Sequence, residues 1–447
     1  MRFAKSLKRD LVPKDWIRVE FYTHRVKALS CRGYWDFSRM SLVDSKIFQA
    51  IAARYRGHQP FLPNLRDLNW NGDETVYSYM SLFLNPQLTA LQFCAPSYPN
   101  NPSPTLIESI STKCPHIRNL GVSFAYKAQR PDLFAPVSHL IGHIPVLEYL
   151  HCGFPLSPAT IVHLSRLSTL TDMHLSDHPF AIIRSLVGEA SVAPFSSLVN
   201  LAIAGWDGPS LIQLLRMMTL PQLKNLTIRL NHPSTFMEDQ NASFLSVYHP
   251  AVFQEYLPSS VDDSDLMHIF HAICDSCSSG LPSFMIRLWP WRKHPPNSPP
   301  MIFRPLLRLT GLTFLNVHDV RGFEFDDATI REIASAWPSL QHLQTNNRHV
   351  VDSKVTLRGF SDLLEGCSQL NELWINISVF AVDVKVFRNA RGIPNTSVKT
   401  LDLGYSRAED DVLKTDMADI FALLCPCLTY FHVVPKDGSR DAWSMLE

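Results

Sequence analysis

The stretch that decides the fold runs from Leu220 to Ile228 and reads LPQLKNLTI. A proline disfavours helix in the residue before it, so a preceding helix ends here. The residues that follow form a pattern: an apolar residue, two variable, an apolar, one variable and an apolar. We identify twelve repeats by this pattern, beginning at Leu65, Leu88, Ile117, Leu147, Leu170, Leu198, Leu223, Leu312, Leu340, Leu370, Val398 and Leu428.

The spacing of the matches is nearly constant. Successive matches begin 23, 29, 30, 23, 28 and 25 residues apart, then 89 apart, then 28, 30, 28 and 30 apart. The gap of 89 is close to three periods, which predicts one or two degenerate repeats plus an irregular insertion near 231–300. Within it, the five prolines of the stretch Trp289–Pro300 cannot donate to a sheet ladder. We interpret the segment from Asn231 to Pro300 as a loop that leaves the repeats.

Each match is typical of a short strand with one buried face, because its last three positions alternate apolar, variable, apolar. Between matches, apolar residues such as Leu211, Leu214, Leu215 and Met218 follow the stripe of a helix. A single strand-helix repeat cannot bury both of its apolar faces, whereas stacked repeats can. The sequence therefore predicts an α/β leucine-rich-repeat solenoid, a horseshoe with parallel strands on the concave face and helices on the convex face. We expect about 13–14 repeats over 61–435, after an N-terminal linker or capping segment at 1–60 and before a tail at 436–447.

Composition excludes several classes of function. Lys plus Arg and Asp plus Glu both number 41, so the chain lacks the basic excess of a nucleic-acid binder. No apolar run is long enough for a membrane helix, and the N-terminus lacks the apolar stretch of a signal peptide. Nine scattered cysteines are typical of reduced thiols. We expect a cytoplasmic or nuclear protein, in which the glycosylation sequons at Asn225, Asn241, Asn376 and Asn395 are chance matches.

The sequence shows no recognisable catalytic motif: no glycine-rich phosphate loop, no zinc-protease motif and no serine elbow. His268, His271, Cys274 and Cys277 have residue types that suit zinc. On a helix, however, four positions three residues apart spread over about 180° and do not converge on one ion. We therefore predict no catalytic residues, no cofactor and no metal, and an enzyme is the least favoured hypothesis.

Two features resemble a known family. The repeats Cys114–Leu120 and Cys425–Phe431 are similar to the Cys-Pro-x-Leu-x-x-Leu repeats of F-box/leucine-rich-repeat proteins. The N-terminal region resembles the segment between F-box and repeats in the F-box-like proteins of mushroom-forming fungi. The residues that carry this second likeness are Phe3-Ala4, Leu11–Trp16, Phe21-Tyr22, Arg25-Val26 and Leu62–Leu65.

The resemblance implies a protein of an SCF-type ubiquitin ligase, in which the F-box docks a cullin-complex adaptor and the repeats hold a protein substrate. The chain departs from the family because it has no recognisable F-box, which we expect to precede Met1. Two hypotheses stay open. The chain is the substrate-binding repeat domain of such a receptor, or it is a leucine-rich-repeat scaffold unrelated to ubiquitination.

The variable positions beside the repeated apolar residues face the concave side, because successive strand residues point to opposite faces. They are mainly amides, imidazoles and aromatic rings, which suit a protein or peptide partner better than phosphates. They fall into two groups, and the alternative is that they are ordinary solvated residues of the ladder. The partner-binding candidates are Tyr149, His151 and His174 in the first group, and Phe314, Asn316, His342, Trp374, Tyr430 and His432 towards the C-terminus.

Overall fold

The chain divides into two compact units, Met1–Leu198 and Val199–Glu447, called the N-terminal and C-terminal units below. The computed structural model describes residues 9, 11–32, 45–55, 60–71, 74–95, 104–124, 131–154, 156–176, 194–206, 208–230, 263–288, 299–319, 323–345, 353–380, 384, 393–404, 406–408 and 414–433.

The N-terminal unit contains a parallel sheet whose strands lie in chain order, β1 to β6. The strands are β1 (Ala28–Arg32), β2 (Asp67–Asn71), β3 (Ala90–Ala95), β4 (Asn119–Phe124), β5 (Tyr149–Cys152) and β6 (Asp172–Ser176). The helices are α1 (Pro13–Thr23), α2 (Ser45–Arg54), α3 (Glu74–Tyr77), α4 (Pro104–Lys113), α5 (Phe134–Gly142) and α6 (Pro158–Ser165), with short 3-10 helices at Ser78–Leu82 and Pro131–Leu133.

The C-terminal unit has the same architecture, with a parallel ladder in the order β7-β8-β9-β10-β11-β12-β14-β16 and a separate pair β13-β15. The strands are β7 (Asn200–Trp206), β8 (Asn225–Leu230), β9 (Ser283–Leu288), β10 (Phe314–Asp319), β11 (His342–Gln344), β12 (Glu372–Trp374), β13 (Ser378–Val379), β14 (Thr400–Asp402), β15 (Arg407–Ala408) and β16 (Tyr430–His432). The helices are α7 (Gly208–Met217), α8 (Asp263–Ser276), α9 (Asp327–Ala336), α10 (Leu357–Gly366) and α11 (Lys414–Leu424), with a 3-10 helix at Pro300–Arg308.

The repeated apolar residues form the core between strands and helices. In β8, Leu226 and Ile228 are buried while Thr227 between them is half-buried. The second apolar position of each strand lies beside the same position of the next strand, as for Leu226 and Phe284. Because parallel neighbours need a crossover, the helices return the chain on the opposite side of the sheet. The predicted α/β leucine-rich-repeat solenoid is therefore confirmed.

The structure corrects the interpretation of Asn231–Pro300 as a loop. Helix α8 and strand β9 lie inside this segment, and β9 pairs with both β8 and β10. Leu281, Phe284 and Ile286 repeat the apolar pattern and are buried. The segment therefore contributes a full repeat, in which phenylalanine occupies the second apolar position. Residues 231–262 and 289–298 of the predicted loop lie outside the described residues.

Strand β1 adds a ladder strand that is not among the twelve identified repeats, although Val26, Leu29 and Cys31 have the same spacing. Ala28–Arg32 pairs in parallel with β2, with Leu29 beside Leu68 and Cys31 beside Trp70. Cys31 is buried, whereas Leu29 is only half-buried.

Candidate functional site

The candidate site is the ladder face of the C-terminal unit, defined as the sheet face that carries the variable strand positions. Strands β10, β11, β12, β14 and β16 present two rows of side chains on this face, each row in register from strand to strand. The first row is Phe314, His342, Glu372, Thr400 and Tyr430, and the second is Asn316, Gln344, Trp374, Asp402 and His432.

His342 is held between two neighbours of its own row. Its ring stacks on Phe314 with centroids 4.3 Å apart and planes at 9°. On the other side, its Nδ1 lies 2.8 Å from Oε2 of Glu372. Burial lowers the pKa of His342, and the carboxylate of Glu372 opposes this shift. The three side chains form a flat, pre-positioned surface.

A second imidazole–carboxylate pair lies at the end of the ladder. Nδ1 of His432 is 3.0 Å from Oδ2 of Asp402, whose Oδ1 accepts a hydrogen bond from the backbone N–H of Gly404 at 2.7 Å. Tyr430 is 52% exposed, and its ring lies nearly parallel to that of His432 with centroids 6.5 Å apart. Asp402 thus orients His432 beside an accessible aromatic ring.

Trp374 lies in register between Gln344 and Asp402. Within the described part of the chain, its buried Nε1 has no hydrogen-bond partner, and the same holds for Nε2 of His342 and Oδ1 of Asn316. A buried polar atom without a partner costs about 1–3 kcal/mol. Three adjacent strands therefore carry a buried polar atom that no described group satisfies.

Asn316 contributes less surface than the sequence indicates. Its side chain is only 6% exposed, and its Nδ2 donates a hydrogen bond to Oε1 of Gln344 on the next strand. Asn316 therefore braces two strands and offers little contact area. Every other C-terminal candidate is half-buried or exposed.

The N-terminal candidates also lie together. The ring of His174 on β6 is 5.4 Å from that of Tyr149 and 5.8 Å from that of His151, both on β5. Burial, with a smaller contribution from His174, lowers the pKa of His151 to about 4. Burial also raises the pKa of Tyr149. These three rings form a small aromatic patch on β5 and β6.

The sequence alone does not single out Glu372 and Asp402. Both stand at variable positions, and the structure makes them the partners of His342 and His432. The available signal is the repeat spacing, which places His342 beside Glu372 and Asp402 beside His432 in register.

Of the four residues whose types suit zinc, His268, His271 and Cys274 lie on α8, and Cys277 follows its last residue. Cys274 is buried, and its Sγ donates to the carbonyl oxygen of Pro305 at 3.0 Å, whereas His271 is exposed. The Cys274 thiol is thus engaged in the core, whereas the His271 imidazole lies at the surface. No group of three or more His, Cys, Asp or Glu suited to a metal occurs within the described residues.

The N-terminal unit also contains a cavity of about 760 Å³. Its walls are mainly apolar, from residues such as Val19, Leu29, Phe48 and Trp70. At its rim, Arg9 forms an ion pair with Asp15 at 2.7 Å. Because its lining is mainly apolar, the cavity lacks the converging polar groups that are typical of a catalytic or ligand-binding site.

Comparisons with known proteins return only distant likenesses. No family model and no curated protein matches the chain. An internalin from Listeria monocytogenes is 12% identical, with 93% of this chain and 89% of that chain covered and a TM-score of 0.40. The leucine-rich repeat-containing protein LegL7 from Legionella pneumophila is 11% identical, with 92% and 91% covered and a TM-score of 0.26. The described helices are all too short or too polar to span a bilayer.

Proposed function

We propose that the chain is a non-catalytic recognition module that binds a protein or peptide on the ladder face of its C-terminal unit. The observation that carries the proposal is the pair of rows of aromatic and polar side chains on β10, β11, β12, β14 and β16. Stacked Phe314 and His342, then Trp374, then exposed Tyr430 supply aromatic anchors of the kind that dominate protein interfaces.

The orphan polar atoms of this face favour a partner with its own backbone groups. Nε1 of Trp374 is a donor, and Nε2 of neutral His342 is an acceptor when Nδ1 donates to Glu372. Both atoms are buried in the free chain, so the carbonyl and N–H groups of an extended segment pair with them only after the two side chains turn outward. Pairing them would remove the desolvation cost that the two atoms carry in the free protein.

We further propose that the partner is a substrate and the chain is the substrate-binding repeat domain of an SCF-type receptor. The support is the resemblance of the Cys-Pro repeats. Cys114 and Cys425 are buried where a helix turns into a strand, in agreement with that repeat type. All nine cysteines are free thiols, which suits a cytoplasmic or nuclear location. The alternative is a leucine-rich-repeat scaffold unrelated to ubiquitination.

The test of partner binding is affinity purification of the tagged full chain from its native cell, followed by mass spectrometry. We expect Trp374→Ala to reduce the recovery of specific partners at least tenfold, because truncating a central aromatic anchor commonly costs 2 kcal/mol or more. Phe380→Ala is the matched control, since Phe380 is a 39% exposed ring outside the ladder. Equal recovery with both variants would contradict the proposed face.

The ligase role has its own test. The same purification is repeated with a chain extended by any coding sequence upstream of Met1. Recovery of a cullin adaptor with the extended chain supports the role as a ligase receptor. The adaptor should then be recovered together with the partners that the original chain binds. Partners without adaptor, from either chain, support the scaffold instead.

A further inference from the structure

Two histidines lie one turn apart at the end of helix α5 in the N-terminal unit. His139 is in the last turn of the helix, and His143 directly follows its last residue, Gly142. Positions four residues apart share one side of an α-helix, because a turn takes about 3.6 residues. Both side chains are exposed, and their imidazole rings stack with centroids 3.9 Å apart and planes at 27°. The two rings therefore share one small patch of surface.

This patch lies on the outside of the helix layer. Helix α5 packs beside α4 and α6. Its apolar residues Val137, Leu140 and Ile141 are buried, whereas the two histidines are exposed. The pair is therefore accessible to a solute and is not used by the core.

A hydrogen bond to the backbone fixes which ring nitrogen of His143 is available. Its Nδ1 lies 2.7 Å from the carbonyl oxygen of His139. A carbonyl oxygen only accepts, so Nδ1 of His143 carries the proton and donates it. In the neutral ring, Nε2 then holds a lone pair. Histidines that bind metals commonly make the same contact, because donation from one ring nitrogen orients the other as a ligand.

The imidazole of His139 is placed to supply a second nitrogen. Within the described part of the chain, its ring stacks on His143 and forms no hydrogen bond or ion pair. Two nitrogens bound to one tetrahedral zinc ion lie about 3.4 Å apart, since each bond is about 2.0–2.1 Å long. The rings are already 3.9 Å apart at their centroids. A rotation of the exposed His139 side chain is therefore enough to bring one nitrogen of each ring onto the same ion.

The neighbouring histidine does not add a third ligand. His163 on α6 is half-buried, and its Nε2 lies 3.1 Å from the carbonyl oxygen of Ile144. Among the residues that the structure describes, no group of three His, Cys, Asp or Glu is arranged for a metal. A tetrahedral ion bound by the pair would therefore keep two positions for water.

We propose that His139 and His143 form a two-imidazole site for a divalent transition-metal ion such as Zn²⁺ or Ni²⁺. Two histidines at positions i and i+4 of a helix are an established arrangement for zinc, and imidazole is a preferred ligand of both ions. The proposal departs from our sequence-based prediction of no metal, which weighed residues three apart on α8. It does not depend on the proposed partner-binding face.

Hydrogen exchange of the untagged full chain tests the site locally. Zn²⁺ and, in a second series, Ni²⁺ are compared with equal concentrations of Mg²⁺, which prefers oxygen ligands. We expect Zn²⁺ and Ni²⁺ to slow the exchange of peptides from residues 134–144 at least threefold, because an ion bound across one turn favours the closed helix. A local readout is needed because Cys427 is an exposed thiol that can bind zinc elsewhere.

Two variants identify the ligands. His139→Gln and His143→Gln should each abolish the slowing by metal, because a chelate needs both rings. His139→Gln retains the bond from His143, since that bond uses the backbone oxygen of residue 139. His116→Gln, at an exposed position of the same unit, should respond to Zn²⁺ like the wild type. Metal-free exchange of the same peptides in His139→Gln should match the wild type, which separates loss of a ligand from loss of the helix.

Three results would overturn the site. The first is a wild-type protein in which neither Zn²⁺ nor Ni²⁺ slows the exchange of α5. The second is an equal slowing by Mg²⁺, which would indicate an effect of charge alone. The third is a folded His139→Gln or His143→Gln protein that responds to the metal like the wild type, because the two imidazoles would then not act as a pair.

Discussion

At the scale of single residues, two buried asparagines hold the turns that precede the strands. In the N-terminal unit, Nδ2 of Asn85 contacts three backbone carbonyl oxygens, and its Oδ1 accepts from the N–H of Gln87 at 2.7 Å. In the C-terminal unit, Nδ2 of Asn395 donates to the carbonyl oxygens of Leu364 and Cys367. Asn395 is 4% exposed, so a glycan on its sequon is incompatible with this fold.

His151 makes the stability of the N-terminal unit depend on pH. Its folded pKa is about 4, below the unfolded value of about 6.5. As pH falls between these values, the unfolded chain takes up a proton that the folded chain does not, so the free energy of unfolding decreases. For a partly exposed ring we expect a loss of about 1–3 kcal/mol at pH 4.

Urea unfolding of the wild type and of His151→Gln at pH 7.5 and pH 4.5 measures this difference. The wild type should lose more stability on acidification than His151→Gln. His116→Gln, at an exposed position of the same unit, should behave like the wild type. Identical losses for the wild type and His151→Gln would show that another group controls the acid sensitivity.

At the scale of elements, β9 shows how a repeat accommodates phenylalanine at its second apolar position. Phe284 is fully buried beside Leu226 and Leu315, and its ring lies 6.2 Å from that of Phe270 on α8. The larger ring fills the space between strand and helix that a leucine fills in other repeats. Helix and strand of this repeat are therefore matched to each other in volume.

Phe284→Ala should destabilise the C-terminal unit by about 3–5 kcal/mol, because it removes a fully buried ring and leaves a cavity. Met285→Ala is the control, since Met285 is a half-buried ladder-face neighbour and its loss should cost far less. Chemical denaturation measures the stability of both variants. Hydrogen exchange of peptides from residues 263–288 of the native protein then shows whether the loss lies in this repeat. A small effect of Phe284→Ala would mean that β9 is not a full member of the ladder.

At the scale of the whole molecule, both units are built from contacts between repeats that follow one another in the chain. Within each unit the described ladder strands pair in chain order, and helices such as α9 and α10 pack in the same order. Stability in such a stack is approximately the sum of local terms and nearest-neighbour interfaces.

Damage should consequently remain local. Leu120→Ala, in the buried row of β4, should raise hydrogen exchange in β3, β4 and β5 and leave β10, β11 and β12 protected. Leu343→Ala on β11 is the reciprocal variant and should show the opposite pattern. Uniform loss of protection in both units after either substitution would contradict nearest-neighbour stability.

The sequence by itself determined the repeating strand-helix unit, the residues of the core and the face that presents His342, Trp374 and Tyr430. These follow from periods of 2 and 3.6 residues, which are local properties of strands and helices. It left out β1 and β9. Both follow the apolar spacing, but β1 precedes the first of the twelve matches and β9 lies in the proline-rich segment that we interpreted as a loop. It also overestimated the exposure of Asn316, whose amide is used between strands.

Only the tertiary structure decided which side chains meet across the ladder. Arg229 and Arg287 are 58 residues apart, and only the pairing of β8 with β9 places them side by side. The same holds for His342 with Glu372 and Asp402 with His432. The connections between strands vary in length, so register is set by packing of the buried apolar row, and a one-residue shift would turn these side chains to the opposite face.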